Sequence, residues 1–493
     1  ENGVVLGVAK GKKIIDDSNA NILLVAPAKS GKKVSVEIPS LLSWKESSLV
    51  YDFKGELYHL TSGKRKNILN NMILKMSPFE KNSLGFNPFE EVRFFTEHVE
   101  KDLEVIGEAL FSEIKEKDLK ENVLILFKLL ALSKMYELNW GEEKREYINF
   151  ALLYYSARNF QEIPENVFVE ENSVLEYLEL YENLSIKEKE KTFAEFKKKM
   201  KIFTDTNLSR NTLKSDFNIS DLYNYKEPVT LYYTGHPNYK ENDILFKIIV
   251  SQLIHQKTEN LPDYNYNYNE EHELLLMFSD FQKLSKIPKF EKNIEILSSS
   301  EIKLFLSIEK ISDIERVYGK ENSILNNMNV NLFFTNSDNK TVGYVDELLI
   351  SDKREALKLS TGKGILKVEG KKPVLIDKFI YFEDKIMGKH FPLIVPESLK
   401  DVSRQYLFNT VSEKEEMNYI PNVKALKFLK DELDKNYAII KVSNPENKNF
   451  GILIRDFSKK TKEFNNYLKE FKKHRASREV DAKDLEIYKE KIN

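Results

Sequence analysis

The chain has 493 residues, 41% hydrophobic and 31% charged, enough for two or three domains with sizeable cores. Lysine and arginine (76) almost balance aspartate and glutamate (78), so any nucleic-acid contact must come from local patches rather than from overall charge. The absence of cysteine excludes disulfides and thiolate metal sites, the seven histidines show no metal-ligand spacing, and no run reaches the ~18–20 apolar residues that span a bilayer.

The first predicted unit is strand, glycine loop, helix, strand over residues 20–60. Ile22-Leu23-Leu24-Val25 is a short apolar run suited to a buried parallel strand. It stops at Ala26-Pro27-Ala28-Lys29-Ser30-Gly31-Lys32, and helical spacing follows from Val34 to Leu42. Ser48-Leu49-Val50-Tyr51-Asp52 reads as a second strand ending in an acid, which completes a βαβ unit. From about 97 to 215 the texture is helical: Leu103–Phe111, Val123–Tyr136 and the lysine-rich Ile186–Ile202. Strand texture returns at Pro228–Tyr233, with a helix at Asp243–His255 and a polar surface loop at Asn265–Glu271. Leu274–Phe278, Lys303–Ile308 and Asn331–Thr335 are further apolar strands. A hairpin over Gly364–Val368 and Pro373–Phe382 closes the core, and a second is expected in the tail at Tyr437–Ile454. Strands alternating with helices point to an α/β doubly wound sheet.

The pattern G-x-x-x-x-G-K-[ST] between strand and helix marks a phosphate-binding loop. Ala26 to Lys33 occupies those eight positions, with Gly31 and Lys32 in place. Gly31 lets backbone N–H groups approach phosphate, Lys32 neutralises its oxygens, and the helix N-terminus adds positive potential. Ala26 replaces the first glycine, and Lys33 replaces the hydroxyl that holds Mg²⁺. The alternative is a strand–turn–helix corner of an unrelated α/β protein. Thr361-Gly362-Lys363-Gly364 is superficially similar, but it leads into a strand and reads as an ordinary turn. The tyrosines 264, 266 and 268 are able to stack bases, but they read first as part of a flexible loop. Lysine-rich faces such as Lys187–Lys201 read first as solvated helix surface.

Further residues carry a family resemblance. The loop and Ile38-Pro39-Ser40-Leu41-Leu42 are followed by Asp52-Phe53-Lys54-Gly55-Glu56 with Leu60-Thr61, then Ser77-Pro78-Phe79 and Gly85-Phe86-Asn87-Pro88-Phe89. Later come Glu309 to Gly319, closing on Val317-Tyr318-Gly319-Lys320, then Ser323-Ile324-Leu325-Asn326-Asn327 and Asp338 to Thr341. In this order, over roughly residues 3–385, the chain resembles the cytoplasmic ATPase domain of the TraG/TraD-type coupling proteins of type IV secretion systems. The resemblance implies a P-loop NTPase (RecA-like) sheet with an inserted all-α domain and a C-terminal extension. Its expected layout is a nucleotide-binding domain in two parts (1–96 and 216–390), the all-α domain (97–215) and the extension (391–493).

The resemblance also implies ATP and Mg²⁺ as cofactors, with Ala28, Lys29, Ser30, Gly31, Lys32, Lys33 and Asp52 around the nucleotide. Lys32, Asp280 and Glu309 are the implied catalytic groups, Asp280 also reaching Mg²⁺ through the nucleotide. Departures fall on these positions: the usual D-E strand end is Ser279-Asp280, and Glu309 replaces a sensor-like glutamine. Ser35 is a candidate for the missing hydroxyl, and Arg316 and Arg210 for a trans arginine. The implied partners are other copies in a homo-hexamer, relaxase-bound DNA or secreted effector proteins, and type IV secretion channel subunits. The implied location is the cytoplasmic face of the bacterial inner membrane, through an N-terminal anchor ahead of Glu1. Two functions stay open: an ATP-driven motor and receptor, and a catalytically degenerate docking or regulatory platform.

Overall fold

The computed structural model describes residues 2–94, 96–139, 148–157, 172–236, 238–239, 242–259, 272–350, 354–389 and 399, with two further strands at 437–442 and 450–455. The expected loop at Asn265–Glu271 and the lysine-rich last segment lie outside the described residues.

One compact unit comprises Glu1–Leu84, Glu108–Glu113 and Asn218–Glu397. Its strands are β1 (Val4–Ala9), β2 (Lys12–Asp16), β3 (Ile22–Val25), β4 (Ser47–Tyr51), β5 (Met72–Met76), β6 (Val229–Tyr233), β7 (Leu274–Phe278), β8 (Ile302–Ile308), β9 (Val330–Phe333), β10 (Lys363–Val368) and β11 (Val374–Asp377). They form one sheet in the order β2-β1-β11-β10-β9-β3-β8-β7-β4-β6-β5. From β9 to β5 every pairing is parallel. From β9 to β2 every pairing is antiparallel. The inner strands β3, β4, β6, β7, β8 and β9 are buried at every position, as continuous apolar runs demand when both faces are covered.

Three strands, β1, β2 and β5, were absent from the sequence-based layout. Gly7 breaks the apolar run of β1, and the break is required: its φ is +147°, and an added Cβ would stand 2.5 Å from Ile376 Cδ1 on neighbouring β11. β5 is a sheet edge of only five residues without regular alternation, so no period marks it.

After the glycine loop the helix opens with a wide π-type turn over Lys33–Glu37 and continues as α-helix over Ile38–Ser43. Pro39 has no N–H to give, which interrupts the α register, and Ile38 N–H bonds to the Lys33 carbonyl instead. π turns of this kind gather at functional sites. Val36, Ile38, Leu41 and Leu42 seat the helix in the core beside Val4, Val5 and Leu6. The next helix, Glu56–Asn67, carries the fully buried Arg65. Its guanidinium donates to the carbonyls of Leu41 (2.5 Å), Trp44 (2.6 Å) and Glu46 (2.8 Å) and to Thr230 Oγ1 (2.7 Å), Ser48 Oγ (3.2 Å) and Asn71 Oδ1 (2.5 Å). One side chain thus ties the end of the loop helix to β4 and β6.

The second compact unit comprises Gly85–Gly107, Ile114–Phe217 and Ser398–Asn493. Between residues 114 and 217 its described elements are helical, including Lys117–Asn139, Phe150–Ser156, Asn172–Glu182 and Ile186–Met200. Asn87 is fully buried here; its Nδ2 donates to the carbonyls of Ile148 (2.8 Å) and Leu213 (3.0 Å), while Ser215 Oγ accepts its backbone N–H (3.0 Å). The asparagine of the Gly85–Phe89 motif therefore joins the two ends of the helical stretch. Helix Ile186–Met200 starts with a Ser185/Glu188 capping box. Lys191 pairs with Glu116 at 2.6 Å and Lys189 with Glu182 at 2.8 Å, so part of its basic face is neutralised locally. The tail strands β12 (Tyr437–Val442) and β13 (Phe450–Arg455) pair antiparallel, as the expected hairpin requires.

Candidate functional site

Four strand ends lie side by side on one edge of the parallel sheet. Val25 of β3 is in register with Ile308 of β8, Leu306 with Phe278 of β7, and Phe278 with Tyr51 of β4. The glycine loop, Glu309, Ser279-Asp280 and Asp52 follow directly, at the carboxyl ends where open α/β sheets bind ligands.

The loop is pinned at its root, where Ala26 N–H donates to the Ile308 carbonyl (2.9 Å). Lys29 (φ 60°) and Gly31 (φ 85°) are both left-handed, while Lys32 is right-handed. Such alternation gathers backbone N–H groups into an anion-binding concavity. Ala28 and Lys29 are exposed at the tip, whereas Lys32 is buried. Lys32 Nζ donates to Asp280 Oδ1 at 2.5 Å, and Lys283 Nζ lies 3.8 Å from Asp280 Oδ2. Burial alone would push the Asp280 carboxyl up, but Lys32, Lys33 and Lys283 outweigh it and hold the group below its ordinary value. Asp280 is itself left-handed (φ 59°), a conformation that a short polar side chain tolerates.

Lys33 Nζ bonds Glu56 Oε2 at 2.6 Å. Burial pulls this ammonium down, yet the Glu56 bond and the charges of Glu37, Glu56 and Asp52 raise it overall. Lys378, just after β11, donates to the Ser30 carbonyl at 2.8 Å and stands 4.0 Å from the Phe334 ring centre. Neither Lys378 nor Glu56 stood out as a site residue in the sequence, because both reach the loop from distant segments. Several buried polar atoms around the loop have no hydrogen-bond partner among the described residues: Ser30 Oγ, Ser35 Oγ, Glu37 Oε1 and Asp52 Oδ1. Buried polar atoms are rarely unpaired, so each of these calls for a partner such as water or a bound anion.

The other expected residues are dispersed. Glu309 is half-buried and contributes its backbone carbonyl to Asn336 Nδ2 (2.8 Å), while its carboxylate makes no hydrogen bond to the loop. Arg316 donates to the Gln282 carbonyl (2.8 Å), and Arg210 belongs to the helical unit.

Asp52 is fully buried, and its Oδ2 accepts the Tyr58 N–H at 2.9 Å. It thereby holds the start of helix Glu56–Asn67, whose cap residue Gly55 has no side chain to do so. Burial raises the Asp52 carboxyl from 3.8 to about 6. A carboxyl raised by folding binds its proton more tightly in the folded state. It therefore favours folding in acid, and that stabilisation is lost as pH climbs from 3.8 through about 6. A change of this size is worth up to about 3 kcal/mol. Asp52→Asn is accordingly expected to flatten the fall in stability over that window, followed by urea unfolding at a series of pH values. An unaltered slope would show that Asp52 is ionised throughout.

The family described as "Type IV secretory system Conjugative DNA transfer" matches residues 2–352. The chain belongs to this family. Among its relatives is the conjugal transfer protein TraG of Escherichia coli, 25% identical over 351 residues, covering 63% of this chain and 52% of that protein. VirD4 of Agrobacterium fabrum is 25% identical over 361 residues, covering 69% and 51%. The family member described here thus spans about half the length of these relatives. Two solved structures share its fold. The conjugative coupling protein TrwBΔN70 with sulphate aligns with TM-score 0.57 at 14% identity, covering 80% of this chain and 91% of that one. TrwB in complex with ADP and Mg²⁺ aligns at 0.54 and 12% identity, covering 80% and 92%. As the motifs led one to expect, the chain has an α/β sheet with an inserted helical stretch, the fold of the coupling-protein structures it resembles.

Proposed function

We propose that this coupling protein binds ATP with Mg²⁺ at the Ala26–Lys33 loop and uses its hydrolysis to deliver substrates to a type IV secretion channel. The observation that carries the reading is the buried Lys32–Asp280 contact at the sheet edge, lodged beneath a left-handed glycine loop with unpaired hydroxyls. In this reading Lys32 leaves Asp280 for the phosphate oxygens, and the released Asp280 carboxylate orients and polarises the attacking water. Asp52 and the loop amides position the nucleotide, and Glu309 faces the terminal phosphate from the end of β8. Among the described residues no three acidic or histidine side chains are grouped to hold a metal. The available donors are oxygens, which suits Mg²⁺ held largely by the nucleotide. When bound, Mg²⁺ neutralises charge on the phosphates. The helical unit is the proposed receptor for relaxase-bound DNA or secreted proteins. Assembly as a hexamer at the inner membrane, beside the channel, completes the proposal.

A second reading, a docking platform without turnover, draws on Lys33 and Ser279 standing where a hydroxyl and an acid are usual. ATP binding and turnover with Mg²⁺, with and without single-stranded DNA, separate the two readings. Turnover lost by a hundredfold or more in Lys32→Ala, about 3 kcal/mol, is the expected outcome. Binding without turnover supports the platform, and no binding at all removes the nucleotide reading.

A further inference from the structure

P-loop enzymes hold their divalent ion between a hydroxyl on the loop helix and a carboxylate at the end of a neighbouring strand. In this chain the helix position carries Lys33 and the strand position carries Ser279, so both donors look lost. The structure shows a carboxylate and a hydroxyl in contact at this place, on the opposite elements. Glu37 lies four residues beyond Lys33 on the opening turn of the loop helix and is 0% exposed. Its Oε2 accepts a hydrogen bond from Ser279 Oγ at 2.7 Å, and its Oε1 has no partner among the described residues.

A carboxylate is not buried in an apolar core without a compensating charge. Val36 and Ile38 flank Glu37 in the core, and Lys32 supplies the largest opposing charge. Burial nevertheless leaves the Glu37 carboxyl raised. The hydroxyls of Ser279 and Ser307 both favour the ionised form, and with Oε2 fixed by Ser279 the other oxygen keeps room for a further contact beside the lysine that defines the phosphate site.

We propose that carboxylate and hydroxyl have exchanged sides in this protein, so that Glu37 on the loop helix and Ser279 at the end of β7 together complete the oxygen shell of the nucleotide's divalent ion. This rests on the nucleotide reading above. The chemistry suits the exchange: by donating its proton to Glu37, Ser279 Oγ keeps its lone pairs for a cation, and the carboxylate raises their basicity. It also accounts for Lys33, whose ammonium is drawn to Glu56 and leaves the ion's place to other donors.

The test is ADP affinity of the whole chain, measured by calorimetry in Mg²⁺ and again in EDTA. The wild-type chain is expected to bind ADP about tenfold or more tightly with Mg²⁺. Glu37→Gln keeps the shape and an acceptor for Ser279 but removes the charge; Ser279→Ala removes the hydroxyl with little change in volume. In either variant the Mg²⁺ advantage is expected to fall to about threefold or less, with metal-free affinity within about twofold of wild type. The combination Glu37→Gln with Ser279→Asp, which returns the acid to the strand, is expected to restore the advantage. An unchanged advantage in both single variants overturns the proposal. An equal change in affinity with and without Mg²⁺, in either direction, also overturns it, because a merely structural counter-charge for Lys32 would act alike under both conditions. ADP binding by wild type that ignores Mg²⁺ overturns this inference alone, whereas no ADP binding under either condition overturns the nucleotide reading itself.

Discussion

Asp280→Asn is expected to abolish turnover and to tighten nucleotide binding at the same time. Lys32 Nζ and Asp280 Oδ1 are 2.5 Å apart and both side chains are buried, so a phosphate reaching the loop has to share the ammonium with this partner or displace it. A nucleotide arriving at the loop therefore competes with Asp280 for the ammonium. Removing one member of a buried ion pair leaves the other uncompensated and costs about 3–5 kcal/mol. The ligand-free variant should melt earlier for that reason. An incoming phosphate then recovers part of the loss, and affinity should rise about tenfold, or ~1.4 kcal/mol. Turnover moves the opposite way, because the group proposed to polarise water is gone, and a fall of roughly 10²–10⁴-fold is expected. Calorimetry of a non-hydrolysable ATP analogue beside single-turnover hydrolysis reads both effects. Weaker binding in the variant would show that Asp280 helps to hold the nucleotide instead of competing with it.

Arg65→Met is expected to cost about 3–5 kcal/mol of stability in the sheet unit, the sum of several stranded acceptors at about 1–3 kcal/mol each less what they regain from neighbours. The six bonds of Arg65 all go to neutral oxygens, three of them carbonyls between Leu41 and Glu46. Burial without a carboxylate contact lowers the guanidinium to about 10, which leaves it charged at neutral pH. Methionine fills much of the volume but removes the donors of all six oxygens at once. Arg65→Lys should recover only part of the loss, since three donors on one nitrogen cannot reach six oxygens spread around a planar fork. Urea unfolding of the three proteins tests this; a methionine variant within about 1 kcal/mol of wild type would show that the network is dispensable.

The expected inner strands were legible because burial on both faces writes them as unbroken apolar runs, as in ILLV of β3 and LLLMF of β7. The glycine loop was legible because strand, loop and helix are contiguous. The edge strands β2 and β5, and β1 beside β2, carry no such signal. Asp52 was readable as a strand-end acid, and helix capping, an alternative for such a position, is the contact the structure shows. Glu37 was not readable as a site residue at all. A lone charge in a helical run gives no indication of which side it faces, and its partner Ser279 is 242 residues away. The tyrosines at 264, 266 and 268 lie outside the described residues and keep both of their readings.

The bond from Lys378 to the Ser30 carbonyl spans 348 positions of sequence. On a ribosome adding roughly 5–20 residues each second, the glycine loop emerges about 17–70 seconds before its clamp. The strand beside it, β8, also arrives late. For the first 248 of those positions Lys32 lacks Asp280. Nascent chains therefore pass most of their synthesis before the loop, Asp280 and Lys378 are assembled together, so the proposed nucleotide site is complete only when nearly the whole sheet unit has been translated.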